Sequence, residues 1–239
     1  KRFLITGGSR GIGRAAAIHA ARHGADVALL HLDDDDGAAA TVADIVALGR
    51  RAVAMAGDVA EPATATRFVA MATEALGGVD VFVSNAGICP FHAFLDMPVA
   101  TFERTMRVNL HGAFHMVQAA ANQMVRQGEG GAIIAVSSIS ALVGGAYQTH
   151  YTPTKAGVHS LMQSAAIAMG PHGIRCNSVL PGTILTDINK EDLADPVKRE
   201  RMAMRIPLGR LGEPDDLAGP IVFLASDLAR YVTGGALLV

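Results

Sequence analysis

Tyr151-Thr-Pro-Thr-Lys155 sets a phenol and an amine four residues apart, which puts both on one face of a helix. A free tyrosine titrates near about 10, and a neighbouring ammonium favours its anion, so the pair can move a proton near neutral pH. Taken alone, this spacing is ordinary helix surface more often than chemistry. Ser138, just after an apolar run, can donate to a substrate oxygen and hold it beside the phenol. Asn109 is placed to order a water that relays the proton from Lys155 to solvent. His150 adjoins the tyrosine, but one step along a helix turns it about 100° away from the phenol. His111 and His115 share a helical face without a third ligand at metal-site spacing, so no metal is expected.

These side chains need a frame. Thr6-Gly-Gly-Ser-Arg-Gly-Ile-Gly13 follows the apolar run Phe3-Leu4-Ile5 and opens an Ala-rich helix over 11–23. Gly7, Gly11 and Gly13 permit a sharp turn, close approach of phosphates to backbone amides, and close packing of helix on strand. The helix then directs its unpaired N–H groups at a pyrophosphate. The spacing is TGxxxGxG, and no Gly-Lys-Ser/Thr closes it, which excludes a Walker loop. Val/Ile/Leu-rich runs predict strands at 2–6, 26–31, 52–56, 79–84, 132–136, 174–180 and 236–239. Helices are predicted at 11–23, 37–48, 61–76, 98–127 with a break near Asn109, 149–169 and 214–225. Strands apolar throughout are buried on both faces, so the expected fold is α/β: a single-domain, doubly wound, Rossmann-like parallel sheet of seven strands with helices on both faces. Ligands bind such sheets beyond the carboxyl ends of the strands, which directs attention to His31, Asp58-Val59, Asn85-Ala86-Gly87, Ser137-Ser138 and Pro181-Gly182. Asp58 either accepts from an adenine amino group or caps the helix beginning near Glu61.

Composition narrows the class. The 239 residues, 50 % hydrophobic, suit one domain spanning 1–239, with 183–205 as a substrate lid whose many charges suit ordering on binding. A net charge of −2 with scattered Lys and Arg argues against a nucleic-acid partner. Cys89 and Cys176 match no zinc spacing and are expected as buried free thiols. The apolar runs are too short for a membrane span, and a soluble cytoplasmic protein is expected. Lys1 in place of an initiator Met leads us to expect residues before it.

TGGSRGIG, Asn85-Ala-Gly87, Asn109, Ser138, Tyr151-x-x-x-Lys155 and Pro181-Gly182, in this order, resemble the short-chain dehydrogenase/reductase family over essentially the whole chain. The resemblance implies that Tyr151 is acid or base, that Lys155 lowers its pKa and binds the nicotinamide ribose, and that Ser138 positions the reacting oxygen. It implies that Asn109 holds a helix break and the relay water, and that Ile184, with Thr186 further along the loop, anchors the nicotinamide. Gly7, Ser9, Arg10, Gly11, Ile12, Gly13, His31, Asp58, Val59, Asn85, Ala86, Gly87, Pro181 and Gly182 complete the cofactor cleft. Selection between NAD and NADP falls at the end of the second strand, where His31 and Leu32 replace the usual acidic or arginine discriminators. Arg10 and Ser9 favour a 2′-phosphate and Asp33 to Asp36 disfavour it, so both cofactors are expected, with NADP preferred.

Phe91, Ser140, Gln148, Thr183 and Asn189, with Ser138 and Tyr151, line the expected substrate pocket. Several hydroxyl and amide groups suit a polyol, and Phe91 suits a sugar ring's apolar face or methyl group. The wording from Ala146 to Lys155, from Pro181 to Asp187 and from Ile206 to Gly212 is similar to bacterial sugar 1-dehydrogenases. That likeness implies oxidation of an anomeric hydroxyl to a 1,4- or 1,5-lactone, with L-rhamnose as the first sugar to expect. The alternatives are a 3-oxoacyl-[acyl-carrier-protein] reductase, which would use Arg104, Arg107 and Arg126 to meet an acidic carrier, and a non-catalytic dinucleotide-binding sensor or scaffold. Small-residue patches at Ala119–Ala121 and Ala165-Ala166, with the family likeness, imply a homotetramer.

Overall fold

Seven strands, β1 (Arg2–Thr6), β2 (Asp26–His31), β3 (Ala52–Ala56), β4 (Val81–Ser84), β5 (Gly131–Val136), β6 (Ile174–Leu180) and β7 (Ala236–Leu238), form one parallel sheet in the order β3-β2-β1-β4-β5-β6-β7. They belong to a computed structural model that describes residues 1–239. The seven-stranded parallel architecture expected from the sequence is the one observed. The chain runs outward from β1 to β3 and then crosses back to β4, so a crevice opens where the β1 and β4 loops part.

The helices are α1 (Gly11–Arg22), α2 (Asp35–Ala47), α3 (Pro62–Leu76), α4 (Val99–Met106), α5 (Gly112–Gln127), α6 (Thr152–Met169), α7 (Pro196–Met204) and α8 (Pro214–Ala225). Their ends carry ordinary signals. Pro62, Pro153, Pro196 and Pro214 sit in first turns, where a missing N–H costs nothing, and Gly77 and Gly128 close α3 and α5 in the left-handed region. Strand residues alternate between two cores. Leu4, Phe82 and Ile133 pack on α3, α5 and α6; Phe3, Ile5, Val81, Val83 and Ile134 pack on α1, α2 and α8. Both faces are therefore dry, which is why the inner strands read as unbroken apolar runs. No helix is long and apolar enough to cross a membrane.

Three elements differ from expectation. The helix over 98–127 is not broken: α4 continues into α5 through a wide π turn at Arg107–His111, which holds Asn109. The helix expected from 149 begins at Thr152, so His150 precedes it and lies fully buried in a turn. Its helical-wheel placement therefore does not apply. The segment 183–205, for which no helix was expected, carries regular structure of its own. Ile184 bridges Gly212, a short 3-10 turn covers Asp187–Asn189, and α7 follows with the Asp195 carboxylate accepting from the Val197 N–H.

Candidate active site

The crevice begins at the loop after β1. Gly7 and Gly11 have φ of +67° and +54°, which side chains rarely adopt. Gly13 has no room for more: a Cβ there would lie 2.0 Å from the Gly7 carbonyl oxygen and 2.6 Å from Asn85 Nδ2. The loop after β4 is stitched to it. The Thr6 hydroxyl oxygen accepts from the Asn85 and Ala86 amides, both at 3.0 Å, and Asn85 Nδ2 donates to the Thr6 and Gly7 carbonyls. Gly7, Ser9, Arg10, Gly11 and Ile12 thus share a cavity of about 590 Å³ with His31, Asp58, Val59, Asn85, Ala86, Gly87 and Thr186.

The glycine cradle at the start of α1 suits a pyrophosphate, and the cavity that it opens into is walled by residues from the ends of β1, β2, β3 and β4, where a dinucleotide lies in such sheets. At the far end, His31 is buried with Nδ1 unpartnered, 3.7 Å from Asp35 Oδ1. Arg10 lies between two carboxylates, 3.7 Å from Asp34 and 3.6 Å from Asp187. Asp58 is not a helix cap: its Oδ1 accepts from the Ala60 N–H at 2.9 Å, and its Oδ2 pairs with Arg104 at 2.8 Å.

A second cavity of about 550 Å³ shares Ile12, Asn85, Gly87, Cys89, Thr186 and Ile188 with the first. Its walls bring together Ser138, Tyr151 and Lys155 with Phe91, Ser140, Gln148, Pro181, Gly182, Thr183, Ile184 and Asn189. Backbone and side-chain bonds join the end of β5 to the start of α6. Lys155 Nζ donates to the Val136 carbonyl at 2.9 Å, Ser137 Oγ donates to the Lys155 carbonyl at 2.7 Å, and the Lys155 N–H donates to the Tyr151 carbonyl at 3.1 Å. Asn109 extends the network. Its Oδ1 accepts from the Ile88 N–H, and its Nδ2 donates to the Ile88 carbonyl and to Thr154 Oγ1, which donates to the Tyr151 carbonyl. The Asn109 side chain is thus a clamp between the β4 loop and α6, with its amide fully engaged.

Burial dominates the electrostatics. It pushes the Lys155 ammonium down to about 8, against a smaller upward pull from Cys89. It pushes the Tyr151 phenol well above its ordinary value, with Cys89 adding to the rise and the Ser138 hydroxyl opposing it. Burial therefore governs the phenol in place of the expected lowering by the ammonium; Lys155 Nζ rests on the Val136 carbonyl, 5.5 Å from the centroid of the Tyr151 ring. Cys89 is likewise pushed up to about 11 by burial, partly offset by Gln148 and Lys155. Cys89 and Cys176 are both buried free thiols.

Several sequence-chosen side chains are already bonded. Asn189 Oδ1 accepts from the Thr186 N–H, and its Nδ2 donates to the Ile184 carbonyl, so its amide shapes the loop after β6. Ser140 Oγ donates to Gln148 Oε1 at 3.3 Å, and Gln148 Nε2 approaches Cys89 Sγ at 3.7 Å. Ser138 Oγ accepts from the Ser140 N–H at 3.0 Å, and its hydroxyl stands beside the Tyr151 phenol. The structure adds Cys89, Asp192, Lys198, Met202 and Arg205 to the second cavity. For Asp192, Lys198 and Arg205 the only signal was the charge density of 183–205, and spacing alone did not show which of those charges turn inward. No group of three or more His, Cys, Asp or Glu is arranged to hold a metal ion.

The profile described as Enoyl-(Acyl carrier protein) reductase matches residues 7–239. The chain is 74 % identical over 239 residues to L-rhamnose 1-dehydrogenase (NAD(P)(+)) of Sphingomonas sp. strain SKA58, covering 100 % of this chain and 94 % of that one. It is 65 % identical over 242 residues to the Azotobacter vinelandii protein of the same name, with the same coverage. Among solved structures, a putative short-chain alcohol dehydrogenase from Sinorhizobium meliloti superimposes with a TM-score of 0.95 at 36 % identity, covering 100 % of this chain and 94 % of that one.

Proposed function

The chain belongs to the short-chain dehydrogenase/reductase family, and from that premise we propose that it oxidises the anomeric hydroxyl of an aldose, L-rhamnose first, to the 1,4- or 1,5-lactone with NAD or NADP. The observation that carries the reading is the convergence of Ser138, Tyr151 and Lys155 in a cavity whose walls also carry hydroxyls and amides and which adjoins the cavity of the glycine loop. The whole-chain likeness to the rhamnose enzymes supports the choice of sugar.

When bound, the oxidised nicotinamide supplies a cationic hydride acceptor, which favours phenolate over phenol in its neighbourhood. Ser138 donates its hydroxyl hydrogen to the sugar's anomeric oxygen and holds it against Tyr151. Tyr151 takes the proton from that oxygen as the carbon gives up its hydride. Lys155 stabilises the phenolate and hydrogen-bonds the ribose beside it. Asn109, by clamping Ile88 and Thr154, fixes the β4 loop and Tyr151 in one frame, and the π turn that carries it gives the relay water its place. Gly7 to Gly13 cradle the pyrophosphate, Ile184 and Thr186 hold the nicotinamide end, and Asp58 and Val59 border the adenine. Phe91, Ser140, Gln148, Thr183 and Asn189 border the sugar, under a lid formed by 183–205.

Acceptance of both cofactors follows from Arg10. Its guanidinium offers a 2′-phosphate a partner, while Asp34 and Asp187 compete for the same charge. NADP is preferred but not required. We further propose a soluble, cytoplasmic homotetramer, whose partner faces include the exposed Val99, Phe102 and Phe114 of α4 and α5. The 3-oxoacyl reductase reading has less support, because relatives of that name fall well short of the identity reached by the rhamnose enzymes and because Arg104 and Arg107 already pair with Asp58 and Glu61 in this chain. The test is a cofactor-reduction assay with L-rhamnose, D-glucose and a 3-hydroxyacyl thioester, with the product identified by mass. Lactone from L-rhamnose is expected; turnover of the thioester alone would overturn the proposal.

A further inference from the structure

The second cavity has a single acidic side chain on its walls, Asp192, in the turn before α7. Lys198 of α7 holds its Oδ1, and its Oδ2 has no partner within the chain. Asp192 is partly sheltered, 26 % exposed at the side chain, on the rim of that cavity. Its negative charge is felt at the Cys89 thiol, on the seam between the two cavities, so it acts toward the reacting end of the cleft.

A neutral, hydroxyl-rich ligand is the class that such a group suits. A carboxylate with one oxygen held by an ammonium and the other free accepts charge-assisted hydrogen bonds from hydroxyls, and the ammonium can donate to a neighbouring hydroxyl. An acyl chain would gain nothing from it and would have to desolvate it. We infer that Asp192, oriented by Lys198, binds ring hydroxyls of the sugar remote from the reacting carbon and is the residue through which α7 selects a polyol. This rests on the sugar-oxidation reading above. Asn189 and Gln148, chosen from sequence for that task, already spend much of their bonding on the chain itself.

The experiment is steady-state kinetics of Asp192→Asn and Asp192→Glu beside the wild type, with L-rhamnose and with its 2-, 3- and 4-deoxy analogues. Asp192→Asn is expected to raise the KM for L-rhamnose about tenfold, with kcat within about a factor of two and the cofactor KM unchanged. Asp192→Glu keeps the charge and is expected to recover part of the loss. With one deoxy analogue the penalty should vanish, because the hydroxyl it served is gone. An unchanged KM, or an equal penalty with every analogue, would overturn the inference while leaving sugar oxidation intact. A wild type that oxidises no sugar would overturn both.

Discussion

In the proposed mechanism the chemistry turns on a proton held by a buried phenol beside a buried ammonium. Lys155 titrates near 8 in the folded chain against an ordinary 10.5. Between those two values the unfolded chain binds more protons than the folded one, so this group's contribution to stability rises as pH climbs from about 8 to 10.5. Below that window the cost of burying the charge is present in full, on the order of 3 kcal/mol. Lys155→Met removes the titration. The wild type's melting temperature should therefore gain on the variant's as pH rises through the window, while the variant loses activity by at least about a hundredfold at every pH. A constant difference in melting temperature across that range would contradict the burial of the ammonium.

Elements position these residues through contacts that leave little slack. At Gly13 an added methyl would meet the Gly7 carbonyl at 2.0 Å, so α1 would have to move away from β1. Gly13→Ala is expected to cost about 1–3 kcal/mol by overpacking and to weaken NADPH binding at least tenfold. Thermal melts and a fluorescence titration would check both, and a variant with wild-type affinity would remove the glycine loop from the cofactor site. That loop, the strands and the Tyr151–Lys155 pair were legible because each has a local signature: a glycine spacing, an apolar run, a helical repeat. Near Asn109 the place of the irregularity was anticipated but its form was not, a π turn instead of a break, since Arg107-Val-Asn-Leu-His111 carries no breaker and the widening answers contacts with Ile88 and Thr154 that are distant in sequence. Nor was α7, whose charged face gives no core stripe and whose start rests on the Asp195 cap and Pro196. The fates of Asp58 and Asn189 were hidden for a related reason. An exposed-looking Asp or Asn can serve a ligand, a loop or an ion pair, and only the folded neighbours decide.

At the scale of the whole molecule, the sheet's crossover between β1 and β4 sets two cavities side by side, and the side chains to which we assign catalysis lie on the wall of the second, which shares six lining residues with the first. The helices on either face are packed into separate dry cores, which keeps the strand ends, and hence the loops that carry the site, in fixed register. That arrangement matters only if a sugar's anomeric carbon and a nicotinamide ring meet there, with Tyr151 on the departing proton. The most direct measurement is the fate of deuterium from L-[1-²H]rhamnose in wild type and in Tyr151→Phe. The wild type should transfer the label intact to the reduced nicotinamide and release a lactone, and Tyr151→Phe should slow that transfer by about a thousandfold or more while still binding cofactor. Label lost to water, or a variant that transfers it at the wild-type rate, would contradict the assignment of Tyr151 as the base and of this wall as the place of reaction.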